Sequence, residues 1–147
     1  MQRPRLKITT EIFTSPAGDL CVLRPSAGSD LVLEGAGERE RQFHAALDGC
    51  SSRAALDQDY GAEAVAEVLD LLDSEGLVED AGAYDVLTGH ERARYDRQLR
   101  YFADIAPDGL TAPECQVRLR DARVLVLGVG GLGSWAAVSL AAAAWGG

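Results

Sequence analysis

The clearest pattern in the chain lies between Glu63 and Gly76, where Val65, Val68, Leu69 and Leu72 recur at i, i+3, i+4 and i+7 while Glu63, Glu67 and Asp70 fall opposite. That is the period of an amphipathic helix with one buried stripe, and Gly76 stands where such a helix stops. Residues 39–47 give a shorter version, with Phe43, Ala46 and Leu47 on one face and Gly49 at the position of a C-terminal glycine cap. Ser51 or Ser52 is placed to cap a second short helix carrying Ala55 and Leu56. Ahead of the helices the pattern changes. Residues 6–13 mix β-branched and apolar side chains, and residues 19–24 and 30–34 alternate after Ser-Pro-Ala-Gly and Pro-Ser-Ala-Gly turns, which predicts three short strands. Leu77 and Val78 then enter a short extended piece. Three strands and three helices in this order predict an α+β, winged-helix-like domain over residues 1–80.

Residues 81–91 contain Ala-Gly-Ala and Thr-Gly-His without a sustained period and read as a linker. Beyond it Tyr95, Leu99 and Phe102 fall at i, i+4 and i+7, which predicts a helix over 92–105 with Arg94, Arg97 and Arg100 outside its apolar stripe. The run Arg123-Val-Leu-Val-Leu-Gly128-Val-Gly130-Gly131-Leu132-Gly133 leaves no room for polar alternation. It predicts a strand buried on both faces that turns through glycines into a helix. In such a turn Gly128 permits the tight bend, Gly130 lets the backbone approach a pyrophosphate, and Gly133 lets the helix pack on the strand while its first amides face an anion. The same spacing also serves as a plain structural turn. The apolar stretch from Val124 to Trp145 is long enough to suggest a membrane span, but the glycine cluster and Arg123 fit a strand-turn-helix better.

Charge narrows the partners. The net charge of −9 is unevenly placed, with fourteen acidic side chains against three arginines between Asp30 and Asp80. A winged helix most often binds DNA through a basic recognition helix, whereas here the third helix offers Glu63, Glu67, Asp70 and Asp73. Nucleic acid and anionic membrane are therefore excluded as its expected partners. The three cysteines are scattered, no apolar signal-peptide core follows Met1, and a cytoplasmic location is expected. His44 and His90 are isolated, and no Cys or His has metal-ligand spacing.

The combination of Arg94-Tyr95-x-Arg97-Gln98, Gln116-x-x-Leu119 and Val-Leu-Val-Leu-Gly-x-Gly-Gly-Leu-Gly resembles the amino end of the ThiF/MoeB adenylyltransferases, relatives of the ubiquitin-activating enzymes. Cys115 stands where that family usually has a glycine, and the segment 108–114 is longer. The resemblance implies the first strand-turn-helix of an α/β Rossmann-like domain over 92–147. It further implies ATP with magnesium as cofactor in a full-length protein, with Gly128, Gly130, Gly131, Leu132 and Gly133 around the phosphates. It also implies a homodimer in which Arg97 reaches the nucleotide of the other subunit. A ribose-binding acid is expected about 20 residues beyond the glycine turn, and no acidic residue follows Asp121. The 147 residues read as the amino-terminal piece of a longer protein, binding ATP poorly and adenylating nothing by themselves.

Residues 43–80 resemble the PqqD-like peptide-recognition domain of ribosomal-peptide biosynthesis: a helix ending Leu-Asp-Gly, a short capped helix, Tyr60-Gly61, then an amphipathic helix ending Glu-Gly-Leu-Val. That resemblance implies binding of a precursor's leader segment as an added strand between the third strand and third helix. Residue by residue, Leu31, Val32 and Leu33 would form the receiving edge, and Ala64, Glu67 and Leu71 the adjoining helix wall. Leu71 has a second reading, as packing on the downstream linker. Acidic walls would favour a leader containing Lys or Arg, although surface charge also serves solubility. The implied partners are a precursor leader peptide and a YcaO-type cyclodehydratase. The full-length protein would adenylate or act as a scaffold. Other readings are an adenylating enzyme for a small sulfur-carrier protein and a winged-helix regulator.

Overall fold

A computed structural model describes residues 1–23, 30–107 and 109–144. The expected end of the second strand at Arg24, the Pro-Ser-Ala-Gly turn, Asp108 and Trp145 onward lie outside the described residues. The chain forms two units, Met1–Tyr84 and Asp85–Gly147.

The first unit has more strands than expected. β1 (Pro4–Leu6) pairs antiparallel with β5 (Val78–Asp80), whereas β2 (Glu11–Thr14), β3 (Leu20–Leu23) and β4 (Leu31–Leu33) make a separate antiparallel meander in that order. The single strand expected over 6–13 is thus broken into two that serve different sheets. Its alternation runs straight through, but long-range bonds override it. The Leu6 amide donates to the Leu47 carbonyl and the Lys7 amide to the Leu77 carbonyl, and the chain then turns with Thr10 N donating to Lys7 O at 2.9 Å. The hairpin from β2 to β3 closes as expected at Ser15–Asp19, whose amide and side-chain bonds converge on Ser15.

The three helices follow their sequence signals. α1 is Glu38–Ala46, α2 is Arg53–Tyr60 and α3 is Ala62–Ser74. The Ser52 hydroxyl accepts from the Ala55 amide and caps α2, which satisfies one of the amides a helix start leaves unpaired. At the end of α3 the Leu77 amide donates to the Leu72 carbonyl and the Gly76 amide to the Asp73 carbonyl, the paired bonds of a Schellman stop. Leu47, Leu56, Val65, Leu69 and Val78 form the core, with Leu6, Phe43, Tyr60 and Leu72 packed around it. Phe43 and Tyr60 meet edge to face, ring centres 5.0 Å apart.

The unit closes where its ends meet. Asp80 accepts from the amides of Gln2, Arg3 and Gly82; burial opposes its charge, but these amides hold its carboxyl below the usual range. Beside it Arg5 bonds Glu79 at 2.7 Å and lies over the Tyr84 ring, while the Tyr84 hydroxyl donates to Glu79 at 3.2 Å. Burial first, and the Glu79 charge next, push the Tyr84 hydroxyl up to about 12. Tyr84 belongs to a 3-10 helix, Ala81–Val86, so the stretch expected as a linker without a sustained period begins with a helical turn.

The second unit is helical: α4 (Gly89–Arg94), α5 (Asp96–Ile105), α6 (Ala112–Asp121) and α7 (Gly131–Ala144). The one helix expected over 92–105 is two, meeting at Tyr95, whose backbone (φ −101°, ψ 16°) leaves the helical region. Of the three apolar residues of the expected stripe, Tyr95 and Leu99 are nevertheless buried and Phe102 is half-buried. α6 was not foreseen, although Thr111-Ala-Pro-Glu114 is a capping box with proline in the first turn, and the reciprocal Thr111–Glu114 bonds form. Gln116 of α6 is buried and donates to the Ala143 carbonyl of α7 at 3.2 Å. The expected strand over 124–127 is absent: the segment takes no regular structure and is exposed, Leu125 by 82 % and Leu127 by 87 %. A two-faced apolar strand needs partners on both sides, and none of the described residues supplies them.

Candidate peptide groove and glycine turn

The first unit carries an open apolar groove of about 470 Å³. One wall is the inner face of the meander. The register pairs Leu20 with Leu33 and Val22 with Leu31, and paired residues share a face, so these four side chains point the same way. Leu20 and Val22 are buried, and Leu31 and Leu33 continue the surface toward solvent. The opposite wall is α3. Val65 and Leu69 turn inward as core, while Ala64, Val68 and Leu71 form a second stripe along the groove. Phe43 and His44 of α1, and Leu47 at its C-cap, line it as well.

Four of the six residues expected to contact a peptide, Leu31, Leu33, Ala64 and Leu71, therefore line one groove. Val32 does not. It alternates to the outer face of the sheet, in the row of Cys21 and Phe13. Glu67 does not line the groove either, but it is exposed and borders it, three residues after Ala64 and four before Leu71. Leu71 is 52 % exposed, which is inconsistent with its second reading as a residue packed away on the linker. Sequence reasoning missed Val68, which the period had assigned to the core stripe, and Phe43 and His44.

β4 pairs with β3 alone among the described residues, so its other edge leaves main-chain donors and acceptors free beside this groove. The polar groups nearby are few. Arg39 donates to the Tyr60 carbonyl at 3.1 Å, which ties the start of α1 to the end of α2. His44 has its Nε2 enclosed with no hydrogen-bond partner among the described residues, and partial burial lowers its pKa. A neutral imidazole is the form that suits an apolar wall.

In the second unit the glycine turn keeps part of its expected geometry. Gly128 has φ +90°, a conformation that side-chain-bearing residues rarely adopt. A Cβ at Gly133 would overlap the Gly128 carbonyl oxygen and lie 3.7 Å from Val126 Cγ1, so the helix start does pack on the preceding segment. Around Gly130 and Gly131 nothing lies within 4 Å of a built Cβ, and Leu132 is exposed. The Ser134 hydroxyl donates to the Val129 carbonyl at 2.7 Å. Arg97 stands exposed on α5. These residues fit a phosphate-bearing ligand in part: the turn, the open approach at Gly130 and the start of α7 are present, while the described residues form no flanking sheet and the sequence has no acidic residue after Asp121.

The ThiF family matches residues 95–147, the region of α5, α6, the glycine turn and α7. No curated protein matches the chain. Among solved structures the chain is similar to the crystal structure of selenomethionine PaaA, with a TM-score of 0.61 and 28 % identity over 93 % of this chain. The chain spans 42 % of the length of that structure.

Proposed function

We propose that the first unit captures the leader segment of a ribosomally made precursor peptide and presents it to a ThiF-type nucleotide-binding region that begins in the second unit. One observation carries this reading: β4, with an edge that none of the described residues pairs, runs beside an apolar groove whose other wall is the exposed stripe of α3. An extended peptide added to β4 would satisfy that edge with main-chain bonds and place alternate side chains in the groove, the strand-addition mode of peptide recognition. The similarity to PaaA over both units is consistent with this pairing, as is the ThiF match downstream. ThiF-family proteins are generally ATP-dependent, so adenylation in the longer protein, aided by a YcaO-type partner or replaced by a scaffold role, belongs to the same proposal. The residues offered for ATP are the turn Gly128–Gly133 and Arg97.

Titration of a fluorescent leader, taken from a precursor encoded beside this gene, tests the reading. Saturable binding is expected, with loss in Leu33→Pro, since proline removes a ladder donor and disturbs the edge. Full binding by a variant with an unchanged circular dichroism spectrum would exclude that edge. A sulfur-carrier gene in place of a precursor gene would favour the adenylating-enzyme alternative.

A further inference from the structure

The groove tells what chemistry its occupant carries. α3 presents Glu63, Glu67 and Asp70 along the flank that borders the Ala64–Leu71 stripe, and the helix contains no basic residue at all. Glu63 and Glu67 are four apart and Glu67 and Asp70 three apart, so each pair repels across one turn. None of the three forms an ion pair among the described residues. Elsewhere the unit does pair such groups: Arg53 with Asp57 and Arg41 with Glu38, each one turn apart. The nearby cations are already placed for other tasks. Arg39 is bonded to the Tyr60 carbonyl, and Lys7 Nζ sits at Gly76 beyond the end of α3. An uncompensated ladder of like charges thus runs beside an apolar groove.

We infer that the segment this groove holds is cationic, pointing apolar side chains at Leu33, Val68 and Leu71 and carrying lysine or arginine along the Glu63–Glu67–Asp70 flank of α3. The inference rests on the reading of the groove as a site for an extended peptide. A lysine or arginine fits the border because its aliphatic stem covers apolar surface such as Leu71 while its charge reaches a neighbouring carboxylate in water. The same ladder repels an acidic segment of equal hydrophobicity, so it selects by charge where the groove alone would select by shape.

The test uses the whole chain and two fluorescent synthetic peptides that share leucine at alternate positions and carry either lysine or glutamate between them. Anisotropy should show the lysine peptide binding at least about fivefold more tightly, the sum expected of a few solvent-exposed pairs. That margin should shrink toward unity in the triple variant Glu63→Gln, Glu67→Gln, Asp70→Asn, and in ~1 M salt, where the screening length falls to about 3 Å. Leu71→Asp should abolish binding of both peptides. Equal affinity for the two peptides, with Leu71→Asp still disruptive, would overturn the cationic inference and leave the groove reading standing. A preference for lysine that persists in the triple variant would also overturn it. Binding of neither peptide, or binding indifferent to Leu71→Asp, would remove the groove reading and the inference together.

Discussion

Leu56 follows only two alanines in a largely polar helix while Leu125 lies in an unbroken apolar run, yet Leu56 is 1 % exposed and Leu125 is 82 % exposed. The difference lies in how many sides of the segment must be covered. Leu56, Val65 and Leu69 sit on the inward stripes of helices, which cover one another together with Val78 of β5 and Leu6 of β1. Val124–Leu127 is apolar throughout, so it is satisfied only inside a sheet with neighbours on both edges and cover on both faces. The first unit thus encloses a core, while the second holds its own at Tyr95, Leu99 and Gln116 but leaves 124–135 largely exposed.

The sharpest way to break this comparison is to truncate one leucine in each region. Leu56→Ala should cost about 2–5 kcal/mol in urea unfolding, the transfer loss plus the cavity left behind, whereas Leu125→Ala should leave the midpoint unchanged. Equal effects would mean that the apolar run is buried in solution. Next comes Gly49, at φ +78° with a built Cβ only 2.6 Å from the Ala81 side chain. Gly49→Ala should destabilise the first unit by roughly 1–3 kcal/mol, because both the backbone and the closed ends of the unit resist the methyl group.

Tyr84→Phe is a gentler probe of the same closure. Losing the hydroxyl bond to Glu79 should cost about 1–2 kcal/mol at neutral pH. Because Tyr84 titrates near 12 when folded against an ordinary 10.0, its contribution is complete below pH 10 and declines as pH rises toward 12. The alkaline loss of stability should therefore be shallower in Tyr84→Phe. The smallest effect belongs to His44, whose pKa burial holds below the ordinary 6.5. The unfolded chain then takes up this proton first, so stability is intact above pH 6.5 and falls as the pH drops toward the folded value. His44→Gln should flatten that part of the profile, and an unaltered acid limb would show that His44 does not set it.

Much of the first unit was legible because its signals are local. The α3 stripe, a cap at Ser51 or Ser52 and the Gly76 stop follow from spacings within a few positions, and four groove residues from the family resemblance. What was not legible depends on distant partners. Nothing near Leu6 announces that it will pair with Val78, or that this pairing will cut the following strand away. Val68 was misplaced for a related reason: its period fits the core, and only the stand-off between meander and α3 decides that it faces a groove. Tyr95 breaks a helix that its spacing continues, and the pattern of apolar residues carries no record of that bend. α6 differs, since its capping box is present in the sequence, but its apolar residues are too few to form a stripe with a helical period.

The pairing of Pro4 with Asp80 and Leu6 with Val78 also fixes how the first unit meets mechanical load. The chain enters and leaves the antiparallel β1–β5 pair at the same end, so tension applied through residues 1 and 84 acts across the rungs and strains them one after another. Such a peeling geometry gives way at lower force than a shear geometry, where all rungs share the load, and a chain pulled at those two points should open first at Pro4–Asp80. The β4 edge lies outside that pair, and Leu6, the one β1 residue that lines the groove, sits at the far end from Pro4–Asp80, so a tug on the flanking chain would open the closure before it reaches the peptide's proposed seat.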